Sequence, residues 1–130
     1  MNAFSDALTV TSSGMRAQAT RLRYLSENIA NVDTAGYRRK LVQFDLQRDG
    51  TNGVQRVEPG PVNLDRSDLK SVYDPSHPLA DETGNYEGSN VDLIIELADS
   101  REAQRSYEAN LKMFEQTRKM SSALLELIRR

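Results

Sequence analysis

The stretch AFSDALTVTSSGMRAQATRLRYLSENIANVDTAG, residues Ala3–Gly36, decides the fold. Leu8, Met15, Leu22 and Ile29 recur every seven residues, and Phe4, Leu25 and Val32 fall on the adjoining seam. This is the a/d spacing of a helix lying lengthwise on another helix. Thr11 and Gln18 stand in the same stripe and weaken it. The spacing predicts one helix from about Ala3 to about Ala30, on the order of 40 Å long at 1.5 Å per residue. Alone it is marginal in water, because its stripe has nothing to bury against. Asn31-Val32-Asp33-Thr34-Ala35-Gly36 ends it, since Asn, Asp and Gly favour turn conformations.

The other end of the chain answers with a second long helix, expected from near Asn90 to Arg129-Arg130. Ser89 is positioned to accept from a free backbone N–H at its start, and Asp92 suits the positive helix end. Glu108 with Lys112 and Glu115 with Lys119 are spaced for i,i+4 pairs. Tyr107, Leu111, Phe114 and Ile128 form one apolar stripe; Met113, Met120, Leu124 and Leu127 form another, rotated around the axis. Two stripes suit two neighbours; one wide core face in a compact bundle is the alternative.

Between the helices the helical period disappears. Leu41–Leu46 and Val54–Glu58 read as strands of a hairpin, joined by the turn-rich Asp49-Gly50-Thr51-Asn52-Gly53. Pro59, Pro61, Pro75 and Pro78 exclude long helices, and Asp81–Asn85 reads as a further turn. The fold class is therefore mainly α with a small β part. Residues 1–36 and 90–130 form one helical core, a coiled-coil-like hairpin of antiparallel helices, and residues 37–89 form a β-rich extension.

Composition excludes more than it assigns. A 130-residue chain is most simply one domain. An apolar fraction of 38 % is lean for a compact globule and suits elongated helices completed by neighbours. Residues 1–40 carry a net charge of +3, residues 41–90 of −5, and residues 91–130 of zero, so the acidity sits in the middle segment. A total of −2 gives no general case for nucleic acid or an anionic membrane as partner. The basic run Arg38-Arg39-Lys40 is short and is followed by acidic sequence, and it reads as a solvated or subunit-facing patch. No apolar run approaches the roughly 18 residues of a membrane helix, and Met1–Asp6 shows no basic-then-apolar leader.

Catalytic chemistry has few groups to draw on. There is no cysteine, and the single histidine, His77, reads as a turn residue with a local hydrogen bond. One imidazole supplies neither a metal set nor a triad. No phosphate loop or calcium-loop spacing occurs, so Asp33, Asp65, Asp68, Asp74, Asp81 and Glu82 read as solvated loop charge. No catalytic, cofactor or metal residues are expected. Three asparagines stand apart. Asn28 and Asn31 lie at the closing turn of the first helix and Asn110 amid apolar residues of the second. A buried amide in a helical seam must be hydrogen-bonded and fixes register; a helix cap for Asn31 and an exposed face for Asn110 are the alternatives.

Leu25-Ser26-Glu27-Asn28-Ile29-Ala30-Asn31-Val32-Asp33-Thr34-Ala35-Gly36-Tyr37-Arg38 resembles the N-terminal signature of the flagellar rod, hook and filament-cap-proximal axial proteins. Gln104-Arg105-Ser106-Tyr107-Glu108-Ala109-Asn110 is similar to the Arg-x-Tyr-x-x-Asn signature of their C-terminal helix. Val72–Asp81 resembles the Tyr-x-Pro-x-His-Pro-x-Ala-Asp stretch of proximal rod members. Ser89 departs from an expected proline, and Leu97 stands where methionine is common.

The resemblance implies signature roles for Asn28, Asn31, Thr34, Gly36, Tyr37, Arg105 and Asn110. The heptad spacing and the stripes assign subunit and helix packing to Leu8, Met15, Leu22, Leu25, Ile29, Tyr107, Leu111, Phe114, Met120, Leu124 and Ile128, and the resemblance implies that such helices pair and pack on adjacent subunits. It also implies export through the flagellar type III apparatus without a cleaved signal. Assembly with copies of the chain and other rod proteins would follow, in a periplasmic rod of the basal body, without membrane insertion. The function implied is mechanical, a polymerised drive shaft. Another axial rod paralogue, or a soluble helical adaptor or secretion chaperone, is the competing reading.

Overall fold

The computed structural model describes residues 3–48, 50 and 53–130. Helix α1 spans Ala3–Ala30 and helix α2 spans Leu93–Arg129. Between them run strands β1 (Lys40–Arg48), β2 (Gln55–Leu64), β3 (Ser71–Tyr73) and β4 (Asn85–Glu87). Two long terminal helices thus flank a small antiparallel β region. Asp49, Thr51 and Asn52 of the expected hairpin turn lie outside the described residues.

The second helix starts later than its sequence suggests. Asp92, in extended conformation, is the N-cap, and its side chain accepts from the Ile94 N–H. Ser89 does not cap; its hydroxyl donates to the Val32 carbonyl and accepts from the Val91 N–H at 3.4 Å. The β region is also larger than expected. Strand β2 continues through Pro59-Gly60-Pro61, and its register against β1 shifts between Val42 and Phe44. One extra β2 residue is accommodated there, a bulge that tolerates proline because a two-stranded sheet is all edge. Strands β3 and β4 pair antiparallel, Val72 opposite Tyr86, and were not legible as strands. The expected Glu108–Lys112 and Glu115–Lys119 pairs are not among the ion pairs of the described residues.

The helices run antiparallel. Asn28 meets Glu96, and fourteen residues away along each helix Gly14 meets Asn110. The same register carried further sets Ala3 abreast of Ser121, so residues 122–129 extend past the described start of α1. What closes the seam differs from expectation. Leu8, Met15, Leu22 and Ile29 are only half-buried. The buried residues of α1 are Thr11, Ser13, Ala17, Leu25 and Asn28, and those of α2 are Glu96 and Ala103. Small residues let the backbones approach closely, which lifts the bulkier Leu/Met stripe off the contact line. A Cβ added at Gly14 would lie 3.1 Å from the Asn110 amide. The β hairpin lies along another side of α1, where Ser13 Oγ accepts from the Val57 N–H at 3.2 Å.

Two substitutions test this packing. Gly14→Leu forces Asn110 and its helix outward and lowers stability by about 1–3 kcal/mol, the usual effect of overpacking. Gly36 has φ +73° with open space around it, so Gly36→Ala adds backbone strain alone, about 1–2 kcal/mol. Denaturant unfolding of both variants measures the differences.

Candidate functional site

The largest fully buried side chains are Glu96, Val91, Asn28 and Ser89, and three of the four are polar. They gather where α1 ends and α2 begins. Asn28 lies one turn before the end of α1, and its amide meets the chain again at Lys40. Asn28 Oδ1 accepts from the Lys40 N–H at 2.9 Å, and Asn28 Nδ2 donates to the Lys40 carbonyl at 3.0 Å. The side chain thereby imitates one rung of a β ladder and fixes where β1 starts. Oδ1 also accepts from the Tyr37 hydroxyl at 2.8 Å, and Nδ2 donates to Glu96 Oε2 at 3.3 Å. Four hydrogen bonds use the full capacity of the amide.

Glu96 has no exposed surface, and its other oxygen accepts from Arg39 Nε. The Arg39 guanidinium reaches Asp99 at 3.2 Å and Asp65 at 3.9 Å. Its backbone N–H donates to Asn90 Oδ1, whose amide in turn donates to the Asp65 carbonyl at 2.9 Å. Arg38 donates to the carbonyls of Asp65 and Ser67, and Lys40 pairs with Glu27 at 2.7 Å. The basic run is therefore paired within the chain, Arg39 most deeply, while Lys40 keeps part of its side chain in solvent. Its charges staple three segments, because three carboxylates converge on Arg39.

The remaining signature residues form the connecting turn. Asn31 Nδ2 donates to the Glu27 carbonyl at 2.8 Å, a C-terminal cap, while its Oδ1 accepts from Thr34 Oγ1. Gly36 adopts a left-handed conformation, and its N–H donates to the Glu87 and Gly88 carbonyls. Asn110 donates back to the Ser106 carbonyl and packs on Gly14, half-buried. Arg105 is exposed on the outer face of α2 beside Leu97 and Arg101. Among the expected packing residues, Leu25 is buried; Tyr107 and Phe114 are half-buried, like Leu8, Met15, Leu22 and Ile29. Leu111, Met120, Leu124 and Ile128 are exposed. Glu96, Arg39, Ser89 and Asn90 were missed as key residues. Glu96 had one legible signal, a lone acid inside the apolar run Leu93–Leu97.

Among the loop acids, Asp65, Asp74 and Asp81 accept hydrogen bonds from their own turns. His77 Nδ1 accepts from the Leu79 N–H at 3.1 Å, and the ring stacks on Tyr86 at 3.9 Å. No group of three or more metal-ligating side chains occurs among the described residues. Hydrogen bonds from Ser67 hold Asp65 below the usual carboxylate range, with Arg39 adding to the effect. Bonds from Thr83 and the Asn85 N–H do the same for Asp81. Burial pushes the Tyr37 hydroxyl up, against the opposing Lys40 charge, and the hydrogen bond to Glu27 raises Lys40.

These shifts shape stability at both pH extremes. Asp65 and Asp81 titrate below their unfolded value of 3.8, so their contributions are present above it and are lost as pH falls further. Tyr37 and Lys40 titrate above 10.0 and 10.5, so theirs are present below those values and are lost as pH rises. Melting temperature followed against pH should show Asp65→Asn and Asp81→Asn flattening the acid limb, and Lys40→Met the alkaline limb.

Comparison with known proteins agrees with this architecture. The family described as "Flagella basal body rod protein" matches residues 8–38, and "Flagellar basal body rod FlgEFG protein C-terminal" matches residues 82–127. A flagellar basal-body rod protein FlgC from Agrobacterium fabrum is 43 % identical over 136 residues, covering 99 % of this chain and 98 % of that protein. FlgC proteins from Bacillus subtilis and Borreliella burgdorferi are 33 % and 32 % identical, each covering 98 % of this chain and 99 % of the relative. The matched N-terminal segment holds most of α1, the signature turn and Asn28; the C-terminal one holds β4, Glu96 and almost all of α2. With both helices and the junction matched over nearly the whole length, the chain belongs to the FlgC family of flagellar basal-body rod proteins, and its role is structural and non-catalytic.

Proposed function

We propose that this chain polymerises through its terminal helices, with copies of itself and with other rod proteins, into a shaft that carries motor torque towards hook and filament. The observation that supports this is the inversion of ordinary burial on α2. Ile94 and Ile128 are each 78 % exposed, and Met113, Leu125 and Leu127 are each about 60 % exposed. Beyond Ala103, no residue of α2 is buried. A seam of small residues joins the helices, while the bulky apolar side chains face away from it.

Each such side chain contributes roughly 1.5–3 kcal/mol when a neighbour covers it completely. Contacts made by different surfaces of one subunit propagate head to tail instead of closing on themselves. In this reading the helices form the tubular core and the β region faces outward. Delivery runs through the flagellar type III apparatus without a cleaved signal, and the assembled position is the periplasmic rod. No helix among the described residues is long and apolar enough to cross a membrane.

The competing adaptor or chaperone reading predicts an oligomer of fixed size, whereas this one predicts mass that grows with concentration in light scattering. The residues proposed for packing divide into two groups. Charges at half-buried Leu22 or Phe114 should disturb both the helix pair and assembly. Charges at exposed positions should spare the monomer. The double variant Leu124→Glu/Ile128→Glu should therefore keep its circular dichroism in dilute solution, fail to enter basal bodies and abolish motility. Normal motility would defeat the proposal. The dilute monomer should also show less helix than α1 and α2 at full length, because α2 has no buried residue beyond Ala103; fully formed helices would count against assembly-coupled folding.

A further inference from the structure

We infer that Arg39, Glu96 and Asn28 are the register-determining residues of the helix pair. The seam itself discriminates poorly between axial positions. Its α1 face presents Thr11, Gly14 and Ala17 at the distal end, and α2 presents Ala103, Asn110 and Thr117, themselves seven residues apart. Sliding α2 by seven residues moves it about 10 Å and sets one small side chain where another had been. Little shape complementarity is lost. The half-buried stripes oppose the slide only in part, since their side chains are incompletely covered.

The junction responds differently. The same slide carries the Glu96 carboxylate, which has no exposed surface, away from both Arg39 Nε and Asn28 Nδ2. It also separates Arg39 from Asp99 and breaks the alignment that lets Asn90 bind the Arg39 N–H and the Asp65 carbonyl. A buried carboxylate without its partners is far more costly than a rearranged contact between small residues. The polar cluster thus selects one alignment, and selection rather than net stability is its contribution. Ser89, bonded to the Val32 carbonyl, ties the two helix ends together at the same level. A correct register matters to any assembly built on α2, because a slipped helix offers neighbours a displaced set of apolar side chains.

The chain contains no cysteine, so disulfide trapping reads register directly. Gly14→Cys with Asn110→Cys reports the native alignment. Gly14→Cys with Thr117→Cys, and Asn110→Ala to relieve crowding, reports a slide of one heptad. In the native register that second pair is about 10 Å apart along the axis, beyond the ~7 Å limit for a disulfide. Both are oxidised in the dilute full-length chain and the intramolecular bond is quantified by peptide mass spectrometry.

With the junction intact, only the first pair should close. In the triple background Asn28→Leu/Arg39→Met/Glu96→Leu, which removes the buried carboxylate together with Arg39 and Asn28 and leaves Asp65 and Asp99 with the solvent they already reach, the slipped pair should close about tenfold more. Glu96→Gln alone should give an intermediate increase with helix content retained. A triple background that stays helical and closes only the native pair would overturn the inference, since the seam would then set register unaided. Loss of helix in that background would overturn it too, because the cluster would be required for folding rather than for choosing an alignment.

Discussion

A carboxylate with no exposed surface stands where the helices, the turn and the β hairpin meet, and it constrains how they can be arranged. Glu96 is surrounded by partners from three directions: Arg39 from the start of the hairpin, Asn28 from α1, and the first turns of α2 itself. Burying a charge is unfavourable unless it is paired and its lone pairs are occupied. That requirement propagates outward. Arg39 must be held by Asn90 and the neighbouring carboxylates, and Asn28 must be held by Tyr37 and the Lys40 backbone. Residues from Asn28 to Asp99 are thereby drawn into one connected arrangement, although the chain between them is mostly loop and short strand.

Away from this junction the molecule changes character. The helices are joined by residues too small to contribute much apolar burial, and α2 continues past the partner that would cover it. Such a division suits a subunit of a continuous structure. In the proposed assembly the junction gives each subunit a definite shape, and the long exposed faces supply cohesion between subunits. A compact monomer would reverse the allocation, placing Leu, Ile and Met in the seam and Ser, Thr and Ala outside.

Much of this could be read before the fold was known. The seven-residue spacing of Leu8, Met15, Leu22 and Ile29 marked α1 with its observed limits, because a helix that length must repeat its apolar pattern to pack anywhere. The same spacing misidentified the contact line. Periodicity shows that a stripe will be covered, and it does not distinguish cover from within the chain from cover by a neighbour. Thr11 looked like a defect in the stripe, yet it is buried, and Gly14, which carried no signal, meets Asn110. Strands β3 and β4, three residues each, were too short to leave any periodic trace.

The sequence by itself determined the two terminal helices, the turn between Asn31 and Gly36, the proline-bearing middle and the lack of catalytic groups. Those properties depend on local conformational preference and on residue inventory, both carried by neighbouring positions along the chain. Only the tertiary structure decided that Arg39 faces Glu96, that Ser89 reaches Val32 rather than capping α2, and that small residues with Leu25, rather than the Leu8-to-Ile29 stripe, are the ones buried. Each of these joins positions dozens of residues apart. Their partners are chosen by burial and charge pairing, which act through space and leave no spacing to read.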